Sequence, residues 1–356
     1  MRAVIKETET NKLFASEVYN YIFDKKTGYF ARWGKTKDDD PSMSPFGPEI
    51  ADIEISTVCN GLNNKPCKFC YKSNTGKGDN MDFETFKKVF HNLPKTLTQI
   101  AFGIGDIDGN PDMWKIFDYC RNNDYNEVIP NVTINGARLT PEILDRLATT
   151  MGAIAVSRYN PSDYCYDAVE ALTDRGMKQV NIHMLLSAET YDECIKLIDD
   201  AVNDTRLKNL NAIVFLALKP KGRGKCMTPL SDNKKYKELI YYAFEKGVSI
   251  GFDSCSAPMF LQAVQDDESY NRYEQLAEPC ESYLFSIYIN EKGITYPCSF
   301  LEEESEGIDL TQKDMKLKDY WLATSTNKWR KDLLQTACSN NCLVKGCRQC
   351  PKYDIY

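Results

Sequence analysis

The sequence predicts an α/β fold, a partial (β/α)6 TIM-like barrel, with an N-terminal β-hairpin before it and a cysteine-rich extension after it. Three observations predict this. From residue 50 to about 250, short β-branched or aromatic runs alternate with helix-period segments. Six such units in succession imply a parallel sheet with right-handed crossovers, two units short of a closed eight-unit barrel. After Gly247 the rhythm gives way to hairpin spacing and closely set cysteines. The expected boundaries are 1–48 for the N-terminal element, 49–248 for the barrel and 249–356 for the extension.

The hairpin is read from Tyr19–Phe23 and Tyr29–Trp33, which flank Asp24-Lys25-Lys26-Thr27-Gly28. The acidic run Asp38–Asp40 before Pro41 reads as a solvated loop. Barrel strands are expected at Asp52–Thr57, Thr98–Phe102, Val128–Ile134, Ala153–Ser157, Gln179–Leu186 and Ile213–Leu218, each bounded by turn residues. Phe83, Phe86, Phe90 and Leu93 form one helical stripe. Thr140 reads as an N-cap with Pro141 at the first helical position and Ile143, Leu144 and Leu147 facing inward. Tyr191–Ala201 and Lys234–Lys246 read as further helices, the second stopped by Gly247. Beyond it, Ser249–Asp253 is strand-like, Tyr283–Ile289 and Ile294–Tyr296 form a hairpin about Asn290–Gly293, and Leu317–Leu334 is helical.

Fourteen cysteines in a chain of 356 residues, with no apolar export core among the first residues, point to a cytoplasmic, reducing setting and to metal or redox chemistry. No run reaches the ~18 apolar residues of a membrane helix. A net charge of −7 argues against a nucleic-acid partner. His91 and His183 stand apart from each other and from other ligand types, which excludes a histidine-based metalloenzyme and assigns each a packed or surface role.

Cys59, Cys67 and Cys70 follow the first strand, at the carboxyl end where sheets of this kind hold their chemistry. Three thiolates on one loop, with no fourth cysteine nearby, can hold three irons of a [4Fe–4S] cluster and leave one iron open to a small molecule. Zinc with a fourth, non-cysteine ligand is the alternative. Later strands end in Phe102-Gly103-Ile104-Gly105-Asp106, trailed by Asn110-Pro111, then in Thr133-Ile134-Asn135-Gly136 and in Ser157-Arg158. Glycine lets backbone approach a ligand closely, and arginine can pair a carboxylate in bidentate fashion. Taken singly, each is equally well an ordinary turn, a satisfied loop residue or a surface ion pair. The sixth strand runs into Leu218-Lys219-Pro220-Lys221-Gly222-Arg223-Gly224-Lys225, for which phosphate or nucleic-acid binding is one reading.

Together these motifs resemble the radical S-adenosylmethionine (SAM) enzymes over most of the chain. That family usually spaces its cluster cysteines C-x3-C-x2-C with an aromatic before the last. Phe69 and the final gap agree, whereas the first gap here is seven residues. The glycine segment resembles the family's Gly-Gly-Glu-Pro, with Asp106 in place of Glu and Ile104 between the glycines. The resemblance implies that Cys59, Cys67 and Cys70 hold the cluster. It also implies that Phe69, Gly103, Gly105, Asp106, Asn135, Ser157 and Arg158 contact SAM, Arg158 at the carboxylate.

The 218–225 segment resembles one found in members with a SPASM-type extension. Cys280, twelve residues, Gly293, four residues and Cys298 follow that extension's opening pattern, and Asn327–Arg330 sits where that family places such a stretch. Cys338-x3-Cys342-x4-Cys347-x2-Cys350 departs from the usual C-x2-C-x5-C-x3-C, and no further cysteine follows. With Cys255 as an added ligand, these residues are expected to hold one or two auxiliary [4Fe–4S] clusters, two being preferred. A structural zinc site at Cys338, Cys342, Cys347 and Cys350 is the alternative. Cys120 and Cys194 read as small core residues, while Cys165 and Cys226 leave a role as hydrogen-atom donor open.

The resemblance implies reductive cleavage of SAM to a 5′-deoxyadenosyl radical that abstracts hydrogen from a peptide or protein side chain. Ribosomal peptide maturation by crosslinking, thioether formation, oxidation or epimerisation is the expected outcome, with an external electron donor of flavodoxin or ferredoxin type. The N-terminal 48 residues look too short for a winged-helix leader-binding domain, so peptide recognition would need another surface or a separate protein. The alternatives are a radical SAM enzyme acting on a small metabolite or nucleotide, and a non-enzymatic iron–sulfur or zinc protein.

Overall fold

A computed structural model describes residues 3–313, 315–336 and 348–353. Its first strands, β1 (Ala3–Glu7), β2 (Asn11–Ser16), β3 (Asn20–Asp24) and β4 (Phe30–Trp33), form an antiparallel meander. The expected hairpin is β3–β4, and two further strands precede it. Lys12 is what hides β2 from a pattern search. The inward positions of β2 are Lys12 and Phe14, so a charge stands where the alternation calls for an apolar residue. Lys12 is tolerated there because its Nζ donates to Leu97 O at 2.8 Å and to Asn126 Oδ1 at 2.6 Å. Burial also lowers its pKa to about 8. β1 exposes every residue and so carries no periodicity.

The barrel runs β5 (Ile50–Glu54), α1 (Phe83–Asn92), β6 (Gln99–Gly103), α2 (Met113–Arg121), β7 (Ile129–Ile134), α3 (Pro141–Thr150) and β8 (Ile154–Ser157). It continues with α4 (Asp163–Asp174), β9 (Val180–Leu186), α5 (Tyr191–Asn203), β10 (Ala212–Ala217), α6 (Asn233–Glu245) and β11 (Ile250–Phe252). Neighbouring strands from β5 to β11 are parallel and in sequence order, so the six expected units are present and β11 adds a seventh strand. Three helices start on side-chain caps: Asp82 accepts from Thr85 N at 2.7 Å, Thr140 from Ile143 N at 3.3 Å and Asp232 from Lys234 N at 2.9 Å. Each such cap contributes about 1 kcal/mol.

Outward strand residues such as Ile53, Ile100, Phe102 and Val156 meet Phe86, Val89, Phe90 and their counterparts on the other helices in one core. The alternate positions face the barrel interior, where Asp52, Glu54, Ala101, Gly103, Thr133, Ser157 and His183 line a cavity. Closed barrels fill this space with layers of branched side chains. Small and polar residues leave it hollow.

The sheet does not stop at residue 248. After α7 (Ala257–Ala263) and α8 (Tyr270–Leu276), β12 (Ser286–Ile289) pairs parallel to β5, on the edge opposite β11. Antiparallel β13 (Ile294–Tyr296) and β14 (Ile308–Asp309) then extend that edge, giving a ten-stranded sheet among the described residues. The extension thus shares the barrel's sheet.

The helix expected over Leu317–Leu334 is two, α9 (Leu317–Trp321) and α10 (Thr324–Gln335). The break follows from who takes the backbone carbonyls. Tyr320 O takes Ala323 N–H at 2.9 Å together with Thr326 Oγ1 at 2.9 Å, and Arg330 Nη1 donates to Trp321 O at 2.6 Å in place of a helical N–H. Arg330 also donates to Tyr283 O at 2.6 Å and lies over the Trp321 ring, whose Nε1 donates to Ser44 O at 2.8 Å. No helix among the described residues is long and apolar enough to cross a membrane.

Arg330→Ala leaves two buried carbonyls unpaired, each costing about 1–3 kcal/mol. We expect a loss of about 3 kcal/mol in urea unfolding, spread over the whole transition because the extension and barrel share one sheet. A separate early transition confined to the C-terminal segment would contradict that coupling.

Candidate active site

Residues 55–82, between β5 and α1, contain little regular structure, and they carry Cys59, Cys67 and Cys70. Two side chains from elsewhere in the barrel pin this loop. On one side, Asp106 is buried beyond the end of β6. Its Oδ2 accepts from Asn60 N at 2.8 Å and Asn60 Nδ2 at 2.9 Å, with Arg138 Nη1 at 3.2 Å, while Oδ1 accepts from Asn135 Nδ2 at 3.3 Å. The Asp106 backbone N–H also bonds Val58 O at 2.9 Å. On the other side, Arg223 donates from Nε to Cys67 O at 2.8 Å, from Nη2 to Asn74 O at 3.0 Å and from its backbone N–H to Cys70 O at 3.0 Å. The basic segment 218–225 is a clamp on the cysteine loop. Gly105 completes the seat, because a Cβ there would stand 2.2 Å from Val58 O and 2.7 Å from Cys59 Cβ.

The three thiols line one cavity of about 380 Å³ at the carboxyl rim of the barrel. Phe69, Gly103, Gly105, Asn135 and Ser157 line it as well, and Phe69 packs on Tyr159 with ring centres 5.3 Å apart. Burial, then the neighbouring thiols Cys59 and Cys70, push Cys67 up to about 11, with Arg223 opposing. Burial likewise raises Cys59. Such thiols bind a metal by giving up their protons to it. Among the described residues no three Cys, His, Asp or Glu side chains converge as a single ion would need. A polynuclear cluster makes no such demand, since it takes its thiolates on separate irons. Three thiols on one cavity are a donor set that fits an iron–sulfur cluster with one open iron.

Two expected SAM contacts lie elsewhere. Arg158 is turned away from the cavity, since alternation beyond β8 gives the inner side to Ser157 and Tyr159. Its Nη1 donates instead to Asn160 Oδ1 at 2.9 Å and Glu193 Oε2 at 2.5 Å. Asp106 is not in the lining either; it sits behind Gly105 as the knot just described.

The lining holds residues that motif reading passed over. Glu54 pairs with Lys72 at 3.6 Å, and Lys72 also binds Glu302 and donates to Tyr288 OH at 2.7 Å. Burial draws the Lys72 pKa down, but Glu54 and Glu302 outweigh it and the net shift is upward. Asp52 opens onto the cavity, and the protein packed around it, aided by Glu281, pushes its pKa from 3.8 to about 6. His183, expected to be a packed or surface residue, faces the cavity, and burial lowers it to about 4, so it is neutral at pH 7. The available signal was polar residues at alternate positions of otherwise apolar strands.

Cys255, in the turn after β11, lies close enough to Cys280 and Cys298 to influence its ionisation, and both of those sense Cys350. Four of the expected auxiliary ligands therefore share one neighbourhood, while Cys338, Cys342 and Cys347 lie outside the described residues. The Tyr71 and Phe300 rings, each next to or near one cysteine group, meet at 4.4 Å. Cys120, Cys165 and Cys194 are buried helix residues whose Sγ donates to a backbone carbonyl, and none lines the cavity. Cys226 is exposed beside Arg223, and His91 bonds Tyr119 OH at 2.7 Å.

Residues 53–201 match the family model described as the radical SAM superfamily. Among solved structures, SuiB of Streptococcus suis bound to the precursor peptide SuiA aligns at TM-score 0.70 and 12% identity, covering 97% of this chain and 94% of that one. SuiB bound to S-adenosylmethionine aligns at 0.64 and 14%, covering 86% and 73%. anSMEcpe with bound AdoMet and Cp18Cys peptide aligns at 0.59 and 15%, covering 82% and 85%. At these identities the likeness shows the fold. No curated protein matches the chain.

Arg223→Ala removes two of the bonds on the cysteine loop, and we expect iron retained after anaerobic reconstitution to fall at least twofold, read by iron analysis. A second expectation concerns pH. A raised carboxyl pKa means the folded state holds the proton more tightly, so stability falls as pH rises from about 4 to 6 and stays reduced above. Asp52→Asn removes that loss. Its Tm gain should be about 2–4 °C at pH 7.5 and smaller at pH 5; a pH-independent difference would contradict the assignment.

Proposed function

We propose that this chain is a radical SAM enzyme acting on a peptide or protein side chain. The observation that carries the reading is the set of three thiols from one pinned loop facing a single cavity at the barrel's carboxyl rim. Cys59, Cys67 and Cys70 hold a [4Fe–4S] cluster with one open iron. When bound, the cluster supplies the electron that cleaves SAM to the 5′-deoxyadenosyl radical. The protein's own share is placement and exclusion of water. Phe69, Gly103, Gly105, Asn135 and Ser157 form the wall against SAM, and Asp106 acts from behind it by fixing Asn60 and Asn135.

Two points support a peptide substrate. SuiB and anSMEcpe are both seen with bound peptide, and their likeness extends over most of this chain. The cavity floor also carries carboxylates and a neutral imidazole, groups suited to a polar side chain. The grouping of Cys255, Cys280, Cys298 and Cys350 supports at least one auxiliary cluster, two with the remaining cysteines, and an external flavodoxin- or ferredoxin-type donor would supply the electrons.

Anaerobic reconstitution should yield about eight to twelve irons per chain, and reduction with SAM should release 5′-deoxyadenosine. Replacing Cys59, Cys67 and Cys70 together by Ala should remove about four irons and abolish the release. A peptide encoded beside this chain should lose two mass units on crosslinking or oxidation. Zinc without iron, or SAM cleavage that survives the triple replacement, would overturn the proposal.

A further inference from the structure

The seven-residue gap between Cys59 and Cys67 is a built element. Leu62 and Lys65 form an antiparallel bridge, with Lys65 N–H on Leu62 O at 3.0 Å. Between them Asn63 and Asn64 both take positive φ, +52° and +56°, as a type I′ turn requires. Gly61 precedes the turn at φ +70°, and a Cβ there would stand 2.2 Å from Lys65 O, so only glycine lets the two arms lie this close. At the tip, Asn63 Oδ1 accepts from Tyr164 OH at 2.7 Å.

That last bond shows where the strap goes. Cys59 follows β5, whereas Tyr164 is in the first turn of α4, after β8. In space they are nearer than that order suggests: a Cβ on Gly105, beyond β6, would stand 2.7 Å from Cys59 Cβ, and one on Gly136, beyond β7, 2.4 Å from Tyr164 O, so the strap spans the neighbouring ends of β6 and β7. Cys59 to Asn63 is four residues and four more return the chain to Cys67, with the left-handed Gly61 and the turn keeping each arm short of its full extension of about 14 Å. A gap of three residues would turn back after about 7 Å. The seven residues thus carry a two-residue turn beyond the ends of β6 and β7, tie to α4 and still return a thiol to the cavity. Along the way Leu62 is 6% exposed and, with Gly61, lines the cavity opposite the β12 side where Tyr288 and Lys72 stand.

We infer that residues 60–66 are a strap over the β6–β8 half of the cavity, and that Leu62 is its apolar contact for the nucleoside half of SAM. This rests on the reading of the cavity as a SAM site. Asn63 and Tyr164 are positioning residues that hold the strap down.

The test uses anaerobically reconstituted protein, with SAM itself as the probe. Hydrogen exchange across 60–66 should slow at least tenfold when SAM binds the unaltered chain. In equilibrium dialysis Leu62→Asn should weaken SAM binding about tenfold at unchanged iron content. Tyr164→Phe should speed exchange in 60–66 without SAM and weaken binding about threefold. SAM binding that leaves exchange in 60–66 unchanged overturns the strap and leaves the SAM site standing. Failure of the iron-loaded, unaltered chain to bind SAM overturns both.

Discussion

A loop without regular secondary structure has to present three thiols at fixed positions, and the buried carboxylate of Asp106 is what makes that possible. Three hydrogen bonds from Asn60 and Asn135 converge on it, with an ion pair from Arg138. It therefore ties the residue after Cys59 to the end of β7 as well as to its own strand. Arg223 secures the same loop from the far side through the carbonyls of Cys67, Cys70 and Asn74. An ordinary β–α connection needs neither, because its backbone groups are satisfied by water or by a short turn.

The clamp also joins the two cysteine groups mechanically. Lys72, two residues past Cys70, is held by Glu54 on β5 and by Glu302 just beyond Cys298, while the Tyr71 and Phe300 rings pack together. β12 fills the place beside β5 where a full barrel would continue. The extension is consequently a wall of the cavity, contributing Tyr288 and Ser299 to its lining.

Much of the fold was legible in the sequence. The six barrel strands lie where β-branched runs alternate with helix stripes, and the cap read at Thr140 is a local signal that survives folding. What escaped was structure whose pattern is broken by a buried charge or by a distant partner. Lys12 masks β2 because Leu97 and Asn126, some 85 to 114 residues away, satisfy it. The break between α9 and α10 is written by Arg330 reaching back to Trp321 O and Tyr283 O, which no propensity anticipates.

For the candidate site the division is similar. Sequence alone determined which atoms are available: three closely spaced thiols, glycine at strand ends, and a second set of cysteines, all read from residue type and local spacing. The tertiary structure decided which of these face one another. Strand alternation brought Ser157 inward and sent Arg158 toward Glu193, and placed Asp106 behind the wall rather than in it. It also gave the long gap after Cys59 a partner, because strand order brings Tyr164 on α4 beside the Asn63 turn, a meeting that no stretch of local sequence contains.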